Sequence, residues 1–132
     1  MRKKVVMTLI VGAVLAGCAV APAQTDEEQV GKLAQGWLNA LLDKDLAAAY
    51  QYTTPGFKES VTLGQYHARV GGAAVWTKAE VTDVLCKMSE KCIVKALVTY
   101  KLTRFGVAEN TRLSEYIWIK GDDGTWAMFN EL

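Results

Sequence analysis

Few side chains in this 132-residue chain could do chemistry: the cysteines at 18, 86 and 92, a single histidine, His67, and the carboxylates, among which Glu80 stands out for its place in a β-rich run. A thiol can be acylated, oxidised or metallated, and a carboxylate or imidazole can move a proton when a dry pocket tunes its pKa. Cys86 and Cys92 are separated by five residues, not by the two of a redox-active Cys-x-x-Cys pair. One histidine without clustered cysteines or acids makes no metal-ligand set. No serine or cysteine stands beside a base, and no glycine-rich phosphate loop is present. Catalytic, metal and cofactor assignments are therefore all expected to be empty, and the cysteines take their meaning from the elements around them.

Cys18 ends an apolar run. Behind Met1-Arg2-Lys3-Lys4, residues Val5 to Ala21 contain only Thr8 as a frankly polar residue, and small residues precede the cysteine, which is the layout of a secretory signal. Leu15-Ala16-Gly17-Cys18 resembles the lipobox of bacterial lipoproteins. The resemblance implies that residues 1–17 are removed as a signal peptide, that Cys18 becomes the first mature residue carrying acyl chains such as palmitate, and that this lipid is the membrane anchor. Two plainer readings stand beside it: an uncleaved anchor, since the run is close to the shortest that crosses a bilayer, and an ordinary signal cut elsewhere. Ala19 follows Cys18 where the family's inner-membrane retention signal places Asp, which implies the periplasmic face of the outer membrane. Residues 18–25 then form the lipidated cysteine and a short tether, of which Ala19 to Gln24 span about 20 Å at most. Whatever the domain binds is expected to be bound at the membrane surface.

Processing alters the charge. The whole chain has 15 Lys and Arg against 14 Asp and Glu, and Arg2, Lys3 and Lys4 leave with the signal, so 12 basic residues face 14 acidic ones. That balance excludes a nucleic-acid partner. Residues 26–132 suit one domain with a core and are too few for two.

Thr25-Asp26-Glu27-Glu28 reads as a capping box, and Val30, Leu33, Ala34, Trp37, Leu38, Leu41 and Leu42 continue at helical spacing, with Gln29, Lys32, Gln35 and Asn39 on the wet side. Asp43-Lys44-Asp45 interrupts this helix, and a short one over Leu46 to Tyr52 follows. Thr53-Thr54-Pro55-Gly56 is expected to end it, leaving Phe57 to plug a loop onto the core. A second capping box, Thr62 to Gln65, starts a short helix that Gly71-Gly72 stops.

From Ala79 the period falls to two. Strands are expected over Ala79 to Cys86, Cys92 to Thr103, Thr111 to Lys120 and Thr125 to Leu132, with hairpins at Lys87 to Lys91 and at Gly121-Asp122-Asp123-Gly124. If Cys86 faces Cys92, then Val84 faces Val94, Thr82 faces Ala96 and Glu80 faces Val98 on one side. On the other side Leu85 faces Ile93, Asp83 meets Lys95 and Val81 faces Leu97. In an exported chain whose Cys18 is taken by lipid, Cys86 and Cys92 are an even pair at a compatible spacing, and a structural disulfide is expected.

Helices followed by hairpins make an α+β chain with its helices packed against one antiparallel sheet of about four to five strands. At Trp37, Leu46-Ala47-Ala48-Ala49-Tyr50, Thr54-Pro55-Gly56-Phe57, Tyr116-Ile117-Trp118-Ile119 and Asp123-Gly124-Thr125-Trp126 the sequence resembles the nuclear transport factor 2-like superfamily, whose curved sheet wraps a long helix into a cone. A cystatin-like sheet on one helix is the competing architecture. The resemblance implies a pocket at the cone mouth, for which Tyr50, Trp76, Glu80, Tyr100 and Trp118 are the candidates. It does not choose a function, because this fold carries isomerases, hydrolases and non-catalytic binding domains.

Three readings follow. The first is a non-catalytic lipid-anchored domain binding an envelope protein or a small apolar ligand. The second is a small isomerase or hydrolase using Glu80 or His67 as base. The third is an assembly subunit forming a homodimer through its outer sheet face, with Ile93, Leu97, Ile117 and Ile119 on it.

Overall fold

Thr25 opens the first helix, α1 (Asp26–Leu42), its hydroxyl accepting a hydrogen bond from the Glu28 N–H at 3.2 Å. In the computed structural model, which describes Gly17, residues 23–102 and residues 109–130, three further helices follow: α2 (Leu46–Gln51), α3 (Pro55–Ser60) and α4 (Leu63–Arg69). A 3₁₀ turn (Gly71–Val75) leads into strands β1 (Trp76–Met88), β2 (Lys91–Tyr100), β3 (Asn110–Lys120) and β4 (Trp126–Phe129). The strands form one antiparallel meander in the order β1-β2-β3-β4. Cys18, residues 1–16 of the signal segment, Thr103 and the end expected for the last strand at Leu132 lie outside the described residues.

The helix α3 corrects an expectation. Thr53-Thr54-Pro55-Gly56 does not merely end α2; Thr54 caps a new helix, accepting from the Phe57 N–H at 3.3 Å, and Pro55 stands in its first turn. Proline tolerates that position because its missing N–H would have had no intrahelical partner there. Phe57 is buried as expected, from a helix and not from a loop. The Thr62–Gln65 capping box is complete, with both reciprocal hydrogen bonds formed.

The core lies between α1 and the concave face of the sheet. Val30, Ala34, Trp37, Leu38 and Leu41 of α1 meet Cys92, Val94, Ala96 and Val98 of β2, with Trp118 and Met128 closing the far side. Gly36 lets the Tyr52 ring approach the helix, since a Cβ there would stand 2.6 Å from its hydroxyl. Tyr52 then packs edge-on against Trp118, and its carbonyl accepts from the Met128 N–H at 2.7 Å, tying α2 to β4.

Register decides which residues reach the interior. Val84 pairs with Val94, Leu85 with Ile93 and Asp83 with Lys95, as the sequence suggests. Between Val81 and Asp83 the register shifts, so Val81 faces Ala96, Glu80 faces Leu97 and Ala79 faces Val98. A residue inserted into one strand, here Thr82, exchanges the faces of everything before it. The expected pairs Thr82 with Ala96, Val81 with Leu97 and Glu80 with Val98 are therefore wrong.

The free edge of β1 is covered by α1. Gln35, expected on the wet side, donates to the Ala79 carbonyl at 3.0 Å and accepts from the Val81 N–H at 2.9 Å. A side-chain amide with both a donor and an acceptor satisfies two edge groups that would otherwise invite another strand.

Cys86 and Cys92 form a disulfide, with their Cα atoms 4.1 Å apart. Beyond it Ser89 and Glu90 make a tight turn between Met88 and Lys91. No described helix is long and apolar enough to cross a membrane.

Candidate functional site

β4 pairs with β3 from Ile117 to Lys120, so among the described residues the earlier half of β3 has no strand partner on that side. This short last strand, the 3₁₀ turn and the C-terminal half of α1 bound a cavity of about 610 Å³ at one end of the sheet. Trp37, Trp76, Tyr100 and Tyr116 are its aromatic walls, and Arg69 and Arg112 bring positive charge to it. The volume lies within the range of about 300–1,000 Å³ usual for sites of small organic ligands.

Each wall has a local cause. Trp76 and Tyr100 are register partners at the junction of β1 and β2 and share the inner face. Trp37 is fixed from two sides: its indole N–H donates to the Tyr66 hydroxyl at 3.1 Å, and Tyr116 meets it edge-on with ring centroids 4.8 Å apart. Arg112, Ser114, Tyr116 and Trp118 alternate along the inner face of β3, opposite Val98, Ala96, Val94 and Cys92. Arg69 lies over the Phe57 ring, 5.8 Å from its centroid. Asn130, also in the wall, has a side-chain nitrogen closed to solvent and without a hydrogen-bond partner among the described residues.

Of the residues expected in a pocket, Trp76 and Tyr100 line the cavity. Tyr50 is instead a clamp between helices, its hydroxyl donating to the Val61 carbonyl at 2.6 Å. Trp118 is fully buried in the core. Glu80 points to the outer face, where it pairs with Lys78 at 3.3 Å, both side chains well exposed. The one-residue shift at Thr82 is what takes it out of the interior. His67 is exposed on α4 and is not among the residues lining the cavity. No group of three or more metal-binding side chains occurs among the described residues.

Trp37, Arg69, Arg112 and Asn130 were not expected at the cavity. For Arg112 the signal was available, because placing Ile117 and Ile119 on the outer face puts Tyr116, Ser114 and Arg112 on the inner one. Trp37 needed knowledge of how far along α1 the core ends, and Asn130 needed the end of β4.

Two phenols are perturbed. Burial pushes Tyr66 above its ordinary value of 10.0, opposed by the Trp37 hydrogen bond. Burial likewise raises Tyr116, opposed by Ser114 and by the charge of Arg112. An unfolded chain releases these protons near pH 10, whereas the fold retains them to higher pH, so the stability they confer is complete below about pH 10 and is lost as pH rises beyond it. Alkaline titration followed by circular dichroism is expected to show unfolding that accompanies tyrosinate absorbance. Tyr66→Phe, which removes one of the two groups, should move that transition to higher pH, and an unmoved transition would exclude Tyr66 as a contributor.

No protein-family model matches the chain, and no curated protein is significantly similar to it. Solved structures do resemble it. A SEC-C motif containing protein from Psychrobacter arcticus superposes with a TM-score of 0.61 at 14% identity, over 83% of this chain and 62% of that one. A ketosteroid isomerase-like protein from Erwinia carotovora atroseptica gives 0.56 at 15% identity, over 79% and 92%. An NTF-2 like protein of unknown function from Shewanella oneidensis gives 0.52 at 17% identity, over 75% and 90%. At these identities the likeness is one of fold, and the fold is the helix-wrapped, curved antiparallel sheet of the nuclear transport factor 2-like proteins.

Proposed function

We propose that this chain is a lipid-anchored cell-envelope protein whose domain is a non-catalytic binding module, with the cavity at the mouth of the cone as its ligand site. The observation that carries the reading is that cavity of about 610 Å³ with aromatic walls. A binding role is favoured over catalysis because Glu80 sits on the outer face with Lys78 and His67 is exposed away from the cavity lining. The lipobox-like Leu15-Ala16-Gly17-Cys18 supports anchoring, with the periplasmic face of the outer membrane as the location. The cavity walls Trp37 and Leu41 lie about 20 Å along the α1 axis from Asp26. The cavity therefore lies toward the end of the domain away from the start of α1.

Metabolic labelling with palmitate and membrane fractionation test the anchor: the parent chain should incorporate label and sediment with membranes, and Cys18→Ala should do neither. Label retained by Cys18→Ala would refute lipidation at that residue. A change in tryptophan fluorescence on adding a medium-chain amphiphile, reduced when Trp76, one of two tryptophans in the wall, is replaced by alanine, tests the ligand site.

The outer sheet face favours a second reading, a homodimer. Leu97 and Leu113 are register partners there, 40% and 56% exposed, with the Lys95–Glu115 ion pair between them and the half-buried pair Ile93 and Ile117. Sedimentation equilibrium should give a dimer that Leu113→Glu dissociates; a monomeric parent chain would remove this reading.

A further inference from the structure

We propose that the cavity at the cone mouth selects amphiphiles with a carboxylate head group, the guanidinium of Arg112 receiving the head and the aromatic walls the apolar body. This rests on the mouth being a ligand site and adds the sign of the charge that it accepts.

Among the described residues, the charged side chains facing the cavity are of one sign. Arg69, Arg112 and Glu115 are the described charged residues that line it. Glu115 alternates with the inward-facing Tyr116 along β3 and sits opposite Lys95, with which it pairs on the outer face at 3.7 Å. Its carboxylate is thus engaged by Lys95 on the outer face. Of the described charged residues, that leaves Arg112 together with Arg69, which is engaged over Phe57, although residues 18–132 as a whole carry two more acids than bases.

The place of Arg112 is unusual for a strand. It occupies the inner face opposite Val98, which is fully buried, in the row that continues through Ser114 and Tyr116 to Trp118. Arg112 lies at the exposed end of that row, so water reaches its guanidinium and an anion can take the water's place. The ion pairs Lys78–Glu80, Lys95–Glu115 and Lys120–Asp26 do not include Arg112. Its charge is felt at Tyr116, the adjacent aromatic wall. A guanidinium fork matches the two oxygens of a carboxylate, and beside apolar walls that contact is stronger than in water.

Three ten-carbon probes with different heads, decanoate, decanol and decyltrimethylammonium, test this on the mature full-length chain below their micelle concentrations, read by tryptophan fluorescence and calorimetry. Decanoate is expected to bind about tenfold more tightly than decanol, the size of one charge-assisted hydrogen bond, and decyltrimethylammonium most weakly. Arg112→Leu should remove the preference for decanoate over decanol, and Arg112→Lys should restore part of it. Arg112 is exposed, so both variants should fold, and near-ultraviolet circular dichroism checks that they do. Equal binding of all three probes by the parent chain, or a decanoate preference that survives Arg112→Leu, overturns the assignment to Arg112 but leaves the mouth a ligand site. No binding of any probe overturns the ligand site itself.

Discussion

Trp118→Ala is expected to destabilise the domain by about 3–5 kcal/mol, the cost of emptying a fully buried indole site whose neighbours cannot collapse. Trp118 has no exposed surface, pairs with Cys92 and Met128 across both adjacent strands and receives the Tyr52 ring edge-on. Single domains have only about 5–15 kcal/mol to lose, so the variant should melt roughly 15–25 °C below the parent chain. Trp118→Phe separates volume from polarity. The Trp118 indole nitrogen is buried without a hydrogen-bond partner among the described residues, and an unpaired buried donor costs stability. Phenylalanine removes that donor while keeping much of the ring, so its loss should stay below about 2 kcal/mol. Urea unfolding of the two variants measures both values, and equal losses would show that the indole nitrogen carries no penalty.

Reducing the disulfide is expected to cost about 2 kcal/mol, because the bond removes conformations of the unfolded chain in proportion to the logarithm of a short loop. That corresponds to roughly 10 °C in melting temperature. The two cysteines are not equivalent. Cys92 is fully buried between Cys86 and Trp118, whereas Cys86 is half-buried. Cys86→Ser leaves a small apolar thiol in the core, while Cys92→Ser buries a hydroxyl, so the second variant should be less stable than the first by about 1 kcal/mol. Thermal melts of both, with and without reductant, decide the matter; if reductant fails to shift the parent chain, the bond is not holding the hairpin.

The two effects act at the same end of the domain. The disulfide, the tip of the first hairpin and the ion pair of Lys120 with Asp26 gather near the start of α1, away from the cavity. Loss of the disulfide is therefore expected to lower stability while leaving probe binding at the mouth intact in the molecules that remain folded.

Much of this architecture was legible without coordinates. Thr25 and Thr62 announce helix starts through a hydroxyl that can reach an N–H three residues on. The apolar spacing from Val30 to Leu42 defines a helix with one face to bury, and the strict alternation in β2 and β3 defines two faces of a sheet. The disulfide was within reach because Cys86 and Cys92 flank a hairpin turn. These signals are local, each needing no more than a few neighbouring residues. Thr54-Pro55 was local too, but ambiguous, since proline both ends one helix and suits the first turn of the next.

The functional end was less legible. Counting in twos from Cys86 puts Glu80 in the interior, and Thr82 breaks the count. A bulge depends on how a strand must bend to stay on its partner and on α1, and nothing in Val81-Thr82-Asp83 marks it. Gln35 looked like a solvated residue until β1 brought the Ala79 carbonyl and the Val81 N–H to it. Helix period, strand alternation, turns and the cysteine pair are written in the order of residues because they arise between near neighbours in the chain. The face that Glu80 takes, the shortness of β4 and the meeting of Trp37, Trp76, Arg112 and Tyr116 around one cavity come from packing between segments far apart in sequence. Only the folded sheet could decide them.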